Sequence, residues 1–422
     1  MDKYVIQGGA RLVGRVRIAG AKNAALPILA ATLMTDQECV VEGVPELQDT
    51  ATMLEVLRSL GMEVSREGSA VRTRLVNEDL STAHYDLLST MRAGFCVLGP
   101  LVARRKRARV SMPGGCNIGP RPVDIHLRGL TRLGASLVVE HGYVAAEADR
   151  LVGAEMFLGG AQGSTVLGTA NILMAATLAR GTTVLEGVAI EPEVQDLARF
   201  LVCMGAHIDG IGTHRLEVEG VEALEGTRYR IIPDRIEAGT FLVAAAITRG
   251  DVEVENTQPE HLTAVLEFLR ERGVTVEKSR AEMKIRARVE RELVPGDVFA
   301  LPYPGIPTDM QAQLMALLCT IEGTSTVHDK VFPDRFIHAG EFIRMGARIA
   351  KENGSATVQG GPPLSGAQVQ ASDLRAGAAL VLAGLAASGT TELSRVYHLD
   401  RGYVRFESKL AALGARIQRA RA

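Results

Sequence analysis

The chain has 422 residues and a mass of 45.1 kDa, the size of two or three domains at roughly 100–200 residues each. Hydrophobic residues are 46% and charged residues 23%, which excludes a disordered chain. There are 47 Lys+Arg against 49 Asp+Glu, a formal net charge of -2, and aromatics are 4% with no Trp. That balance argues against a polyanion binder and against a base-stacking surface, so no nucleic acid is expected as a partner, although a local basic pocket remains compatible with it.

The five cysteines, Cys39, Cys96, Cys116, Cys203 and Cys319, are odd in number and show no CxxC spacing. This fits a reducing, cytoplasmic setting, with no disulfide framework and no zinc site. The start Met1-Asp2-Lys3-Tyr4 lacks a secretory pattern. The apolar stretch 376–387 is shorter than the ~18 residues of a membrane span, so no membrane insertion is expected.

In chain order, two β-like runs come first, Tyr4-Val5-Ile6-Gln7-Gly8-Gly9 and Gly14-Arg15-Val16-Arg17-Ile18. They read as a hairpin with no helix of its own. Six copies of one repeat follow. Each opens with a small-residue apolar helix, at 23–36, 90–104, 169–180, 239–249, 309–322 and 373–388. A β-branched run comes next, such as Cys39-Val40-Val41-Glu42 or Thr183-Val184-Leu185-Glu186. A second helix then carries apolar residues three and four apart, as in Leu262, Val265, Leu266 and Leu269. It stops at a glycine: Gly61, Gly134, Gly205, Gly273, Gly346 or Gly414, spaced by 68 to 73 residues. Glycine there is the natural residue after a helix C-terminus. A further strand closes the repeat.

The first helix of each repeat is apolar all round and is predicted to be buried; the second is amphipathic and is predicted to lie outside. Three repeats make a domain, so the expected domains are 22–231, and 1–21 with 232–422. A repeat scaffold without chemistry is the plain alternative, but the loops carry unequal, reactive residues.

The sharpest of these loops is Pro113-Gly114-Gly115-Cys116-Asn117-Ile118-Gly119-Pro120-Arg121-Pro122. Its glycines and prolines predict an exposed loop, and the neighbouring cations Arg105, Lys106, Arg107, Arg109 and Arg121 favour the Cys116 thiolate. Cys39, Cys96, Cys203 and Cys319 sit in apolar patterns and read as inert packing residues. Lys22-Asn23 opens a buried helix, where unpaired N–H groups favour an anion. Thr308 and Ser372 are expected N-caps, with Asp309 and Asp373 suiting the dipole. Arg92 and Arg375 stand at helix starts against the dipole, which fits a bound anion. Asp334-Arg335 and Asp400-Arg401 match in repeats five and six, in the turn before the second helix, with Asp124 and His126 at the corresponding place in repeat two. Arginine there suits carboxylate or phosphate.

Together, Lys22-Asn23, the cysteine loop, Thr308-Asp309-Met310-Gln311, Asp373-Leu374-Arg375-Ala376 and His398-Leu399-Asp400-Arg401-Gly402-Tyr403 resemble the enolpyruvyl transferase family, and within it the UDP-N-acetylglucosamine 1-carboxyvinyltransferases. The resemblance runs over residues 5–415. It implies an α/β fold of two inside-out domains, each of three repeats with buried helices and outer sheets, and an active site in the cleft between them. The implied reaction moves the enolpyruvyl group of phosphoenolpyruvate to UDP-N-acetylglucosamine through a tetrahedral ketal. The sequence itself shows no metal-ligand cluster and no dinucleotide fingerprint, so no metal and no organic cofactor are expected. By the same resemblance Cys116 matches the proton donor and Asp309 the base near the sugar 3-hydroxyl. Lys22, Arg121 and Arg401 match the phosphoenolpyruvate cations, with Asn23 beside them, and Arg335 and Asp373 match active-site positions. Arg92, Arg121, Pro122, Val123, Asp124 and Ile125 match the sugar-nucleotide site; Gly163, Ser164, Thr165, Val166 and Val331 match further nucleotide contacts. One departure stands out: family members often carry Lys where this chain reads Gln162-Gly163-Ser164-Thr165. The alternatives are transfer to another alcohol such as shikimate 3-phosphate, which the cysteine loop disfavours, and an inactive binding protein on the same fold.

Overall fold

The computed structural model describes residues 2–114, 123–160 and 163–421. Among these residues the chain forms six four-stranded sheets, one per repeat. The third shows the pattern. Glu155–Phe157 runs parallel to Thr182–Glu186, which pairs antiparallel with Arg215–Glu219, which pairs antiparallel with His207–Asp209. A parallel pair needs a crossover, and the helix Val166–Thr177 supplies it.

The N-terminal hairpin expected from the sequence does not form. Asp2–Gln7 inserts between Thr390–Ser394 and Arg416–Arg421, whereas Val13–Arg17 lies parallel to Asp251–Glu255 in a different sheet. Each run supplies the strand that one repeat lacks. The first repeat is completed in the same way by Arg228–Arg230 beside Cys39–Glu42. Contacts divide the chain into two compact lobes, one within residues 20–232 and one of 2–19 with 233–421, residues 115–122 aside. Each has its own hydrophobic core.

The apolar helices are buried because they have no polar face to offer water. Arg235–Ile247 and Gln311–Cys319 are buried at every residue, and Leu374–Ala386 at all but its ends. These three pack against one another in the second lobe. The second helices bury one stripe each. Thr263–Glu271 buries Val265, Leu266, Phe268 and Leu269, each worth roughly 1.5–3 kcal/mol. All six glycines that follow these helices have positive φ, at 81°, 98°, 100°, 102°, 93° and 100°, a backbone region that side chains with a Cβ avoid.

Several boundaries differ from the expected ones, each for a physical reason. The helix expected at 90–104 is a 3-10 segment, Arg92–Val97, followed by an α-helix, Leu98–Arg105. Asn171 causes the break. Its Oδ1 accepts the Gly99 N–H at 2.8 Å and its Nδ2 donates to the Phe95 carbonyl at 3.0 Å. The side-chain amide thus inserts between a donor and acceptor that would otherwise bond each other along the helix. A Cβ at position 99 would lie 2.3 Å from the Asn171 carbonyl oxygen, so only glycine admits this approach. Ser372 and Thr308 do not cap. Asp373 takes the cap itself, accepting the N–H groups of Arg375 and Ala376, while the Thr308 hydroxyl donates to Asp329. Asp124 and His126 lie within the helix Asp124–Arg132 rather than in the turn before it.

Candidate active site

In the first lobe Lys22 begins the helix Lys22–Ala31, yet its side chain is not solvated: the residue is 6% exposed. Its Nζ lies 3.1 Å from Oδ2 of Asp49, the second residue of the helix Gln48–Ser59. Asp49 was not anticipated from the sequence, and its pairing keeps a buried ammonium compensated. Asn23 and Arg92 are half-buried at the starts of their segments. Val123 and Ile125 are buried and Asp124 exposed around the start of Asp124–Arg132.

Gly163 takes φ 93° and forms a bridge with Gly160, each N–H meeting the other's carbonyl. Ser164 follows. Thr165 then caps the helix Val166–Thr177 through its hydroxyl and the Gly168 N–H at 3.2 Å. The two segments expected to share one ligand are neighbours. A Cβ at Gly160 would lie 2.9 Å from Ile125 Cδ1, and one at Gly168 3.3 Å from Ile125 Cγ2. Beneath them His126 is buried, and its Nδ1 receives a 2.8 Å hydrogen bond from Asn171. Burial first, then the Arg92 guanidinium, pushes the imidazole down to about 3, so it stays neutral. Cys116, Arg121, Pro122 and Gln162 lie outside the described residues.

The second lobe gathers the other expected residues around one carboxylate. Asp309 Oδ1 accepts from Arg335 at 2.8 Å and Oδ2 from Arg375 at 3.1 Å. Arg335 also donates to Thr308 Oγ1 at 3.1 Å, and Thr308 donates to Asp329 Oδ2 at 2.6 Å. Asp329 Oδ1 accepts the N–H groups of Val331 and Phe332 at 3.0 and 2.7 Å. One chain of hydrogen bonds therefore fixes Val331, Arg335, Asp309 and Arg375, and the Asp373 cap anchors Arg375 by its backbone. Burial opposes the charge on both arginines. In Arg335 the Asp309 carboxylate outweighs it; in Arg375 the Tyr403 hydroxyl and Asp309 do, so both guanidiniums hold their protons more tightly than usual.

Two features set this cluster apart from an ordinary buried ion pair. The Asp309 side chain keeps 25% of its surface exposed, although both arginine side chains are at or below 5%. Among the described residues, the buried Nε and Nη1 donors of Arg375 have no acceptor at hydrogen-bond distance. Unmet guanidinium donors are costly and suit an anionic oxygen. His338, in the same lobe, is buried, which drives it down to about 4 and leaves it neutral. Arg401 ends the segment Val396–Arg401, half-buried. Its neighbour Asp400 is instead bound by Arg419.

Among the other cysteines, Cys39, Cys96 and Cys319 are buried, but Cys203 is exposed, correcting its reading as a packing residue. It ends the helix Pro192–Cys203, out of phase with the buried Leu197, Phe200 and Leu201. Among the described residues no group of three or more His, Cys, Asp or Glu could hold a metal ion, and no helix is long and apolar enough to cross a membrane.

The model of the family described as EPSP synthase (3-phosphoshikimate 1-carboxyvinyltransferase) matches residues 6–410. The chain belongs to this family of enolpyruvyl transferases. Within it, a UDP-N-acetylglucosamine 1-carboxyvinyltransferase of Anaeromyxobacter sp. (strain K) is 53% identical over 425 residues, covering 100% of both chains. One from Koribacter versatilis (strain Ellin345) is 51% identical, covering 99% of this chain and 96% of its own. Among solved structures, the enolpyruvyl transferase NikO from Streptomyces tendae superposes with a TM-score of 0.90 at 26% identity, covering 100% of this chain and 99% of its own. An EPSP synthase from Acinetobacter baumannii shares the enolpyruvyl transferase fold, with a TM-score of 0.78 at 19% identity and full coverage of both chains.

Proposed function

We propose that the protein transfers the enolpyruvyl group of phosphoenolpyruvate to the 3-hydroxyl of UDP-N-acetylglucosamine and releases phosphate, the first committed step of peptidoglycan precursor synthesis. The relatives at 51% and 53% identity, matched over essentially the whole chain, are named UDP-N-acetylglucosamine 1-carboxyvinyltransferases, which supports this reading. The observation that carries the site assignment is Asp309, partly exposed and gripped by two buried arginines.

In this reading Asp309 accepts the proton of the sugar 3-hydroxyl as its oxygen attacks carbon 2 of phosphoenolpyruvate, and Cys116 delivers a proton to carbon 3. The result is a tetrahedral ketal. The Cys116 thiolate then takes a proton back from carbon 3 as phosphate leaves carbon 2, and the proton held by Asp309 passes to the departing phosphate, restoring the double bond and both enzyme groups. Lys22, Arg121 and Arg401 compensate the phosphate, while Arg335 and the unmet donors of Arg375 suit the carboxylate. Asp373 supports Arg375 through its cap. Asn23 stands beside the phosphoenolpyruvate cations, and Arg92 and the segments 121–125 and 163–166, with Val331, take the sugar nucleotide. Gln162 and Gly163 offer no side-chain charge to its diphosphate, so the arginines of the first lobe supply it. A cytoplasmic setting, as the cysteine pattern implies, suits both substrates.

The test is phosphate release with UDP-N-acetylglucosamine or shikimate 3-phosphate as acceptor. Turnover is expected with the sugar nucleotide alone. Cys116→Ser and Asp309→Asn are each expected to lower kcat by about 10²-fold or more. Release with shikimate 3-phosphate instead would overturn the assignment.

A further inference from the structure

Beneath Asp309 lies a buried polar group that the reaction scheme does not use. Tyr403 is 2% exposed and stands just before the helix Phe406–Ala412. Its hydroxyl is 3.0 Å from Thr240 Oγ1. Thr240 in turn donates to the Ile236 carbonyl at 2.8 Å, so the tyrosine is the donor between them. Gln313 Nε2 donates to the Asp309 carbonyl oxygen at 2.8 Å and turns toward Thr240 at 3.2 Å and Tyr403 at 3.3 Å. The tyrosine ring faces the Arg375 guanidinium, 5.3 Å from its centroid. A single side chain thus reaches all three buried helices of the lobe: Thr240 on Arg235–Ile247, Gln313 on Gln311–Cys319 and Arg375 on Leu374–Ala386.

We infer that Tyr403 is a positioning residue: its hydroxyl, through Gln313, fixes the backbone of Asp309, and its ring fixes the guanidinium that holds the Asp309 carboxylate. This rests on the role proposed for Asp309. A loosened Asp309 would still admit substrates but would meet the acceptor hydroxyl less often in a reactive geometry, so the loss falls on kcat rather than on KM. The hydroxyl and Gln313 act along one path, so removing both costs little more than removing either.

The experiment is steady-state phosphate release by the wild type, Tyr403→Phe, Gln313→Met, the double variant and Tyr403→Leu. Each of the first two single variants is expected to lower kcat about tenfold with both KM values within about twofold. The double variant is expected to stay near tenfold, and Tyr403→Leu, which also removes the ring from Arg375, to lose more. A kcat within twofold of wild type for Tyr403→Phe, or multiplying losses in the double variant, would overturn the inference. Should Tyr403→Leu not fold, the two conservative variants decide alone. A wild type silent toward UDP-N-acetylglucosamine would instead sink the functional proposal, and this inference with it; weak variants beside an active wild type bear on Tyr403 only.

Discussion

The Lys22 ammonium and the Asp49 carboxylate meet at 3.1 Å with less than a tenth of either side chain exposed. Such a pair contributes little net stability when whole, but breaking it strands a buried charge. Asp49→Ala is expected to cost on the order of 3 kcal/mol in urea unfolding, and Asp49→Ala with Lys22→Met less than the two changes summed. Inorganic phosphate should raise the melting temperature of Asp49→Ala more than that of the wild type, because the stranded cation then gains a partner. An equal shift in both proteins would show that Lys22 is not the group meeting the phosphate.

His126 gives the pH dependence a sign. The unfolded imidazole takes its proton near pH 6.5, while the folded one, lowered to about 3 by burial and then by Arg92, does not. Between those values the unfolded state alone gains a proton, so stability present above pH 6.5 is lost as the pH falls. By pH 5 the loss is about 2 kcal/mol. Urea unfolding of the wild type and His126→Gln at pH 7.5 and pH 5 checks it: the wild type's advantage should shrink by about that amount. An unchanged gap would mean that His126 also charges in the folded state.

The glycine after the third outer helix offers a clean backbone test. Gly205 has φ 100°, and nothing lies within 4 Å of an added Cβ. Gly205→Ala therefore costs backbone strain without a clash, about 1–2 kcal/mol. A neutral change in thermal unfolding would mean that the turn relaxes to a different geometry.

Thiol accessibility separates the cysteines. Burial pushes the Cys96 and Cys319 thiols up to about 12 and raises Cys39 as well, so a maleimide should leave these three untouched in the folded protein. Cys203 is expected to react. In Cys203→Ser, an epoxide mimic of phosphoenolpyruvate should label Cys116, and the sugar nucleotide should change the labelling rate. Peptide mapping that found the label on Cys39, Cys96 or Cys319 would contradict both the packing and the proposed chemistry.

The six repeats were legible because their punctuation is local: a glycine after each outer helix is demanded by its own φ. The helix Pro192–Cys203 shows what closer attention to phase would have added, since Leu197, Phe200, Leu201 and Met204 repeat at three and four while Cys203 falls between them. Strand pairing was not legible. Tyr4 faces Leu393 and Arg419 across its sheet, and no short-range pattern announces partners that distant in sequence. Asp309, Arg335 and Arg375 were named from motif and resemblance, but their mutual grip depends on side chains that meet only after folding. A faint signal existed for the hidden polar residues. Asn171 and Gln313 place amides in mostly apolar helices, and a buried amide requires partners; the sequence could not say that they would be His126 and Tyr403.

The placement of residues 2–7 has a consequence for the order of events during synthesis on the ribosome. Their strand sits between two others that emerge only when residues 390–394 and 416–421 have been made, so residues 2–7 cannot take their place in the sheet until those much later residues have followed them. The lobe within residues 20–232 closes its last sheet as soon as Arg228–Arg230 appears and can mature while the rest is still being translated. Deleting residues 2–7 would therefore leave the strands Thr390–Ser394 and Arg416–Arg421 without the piece that joins them.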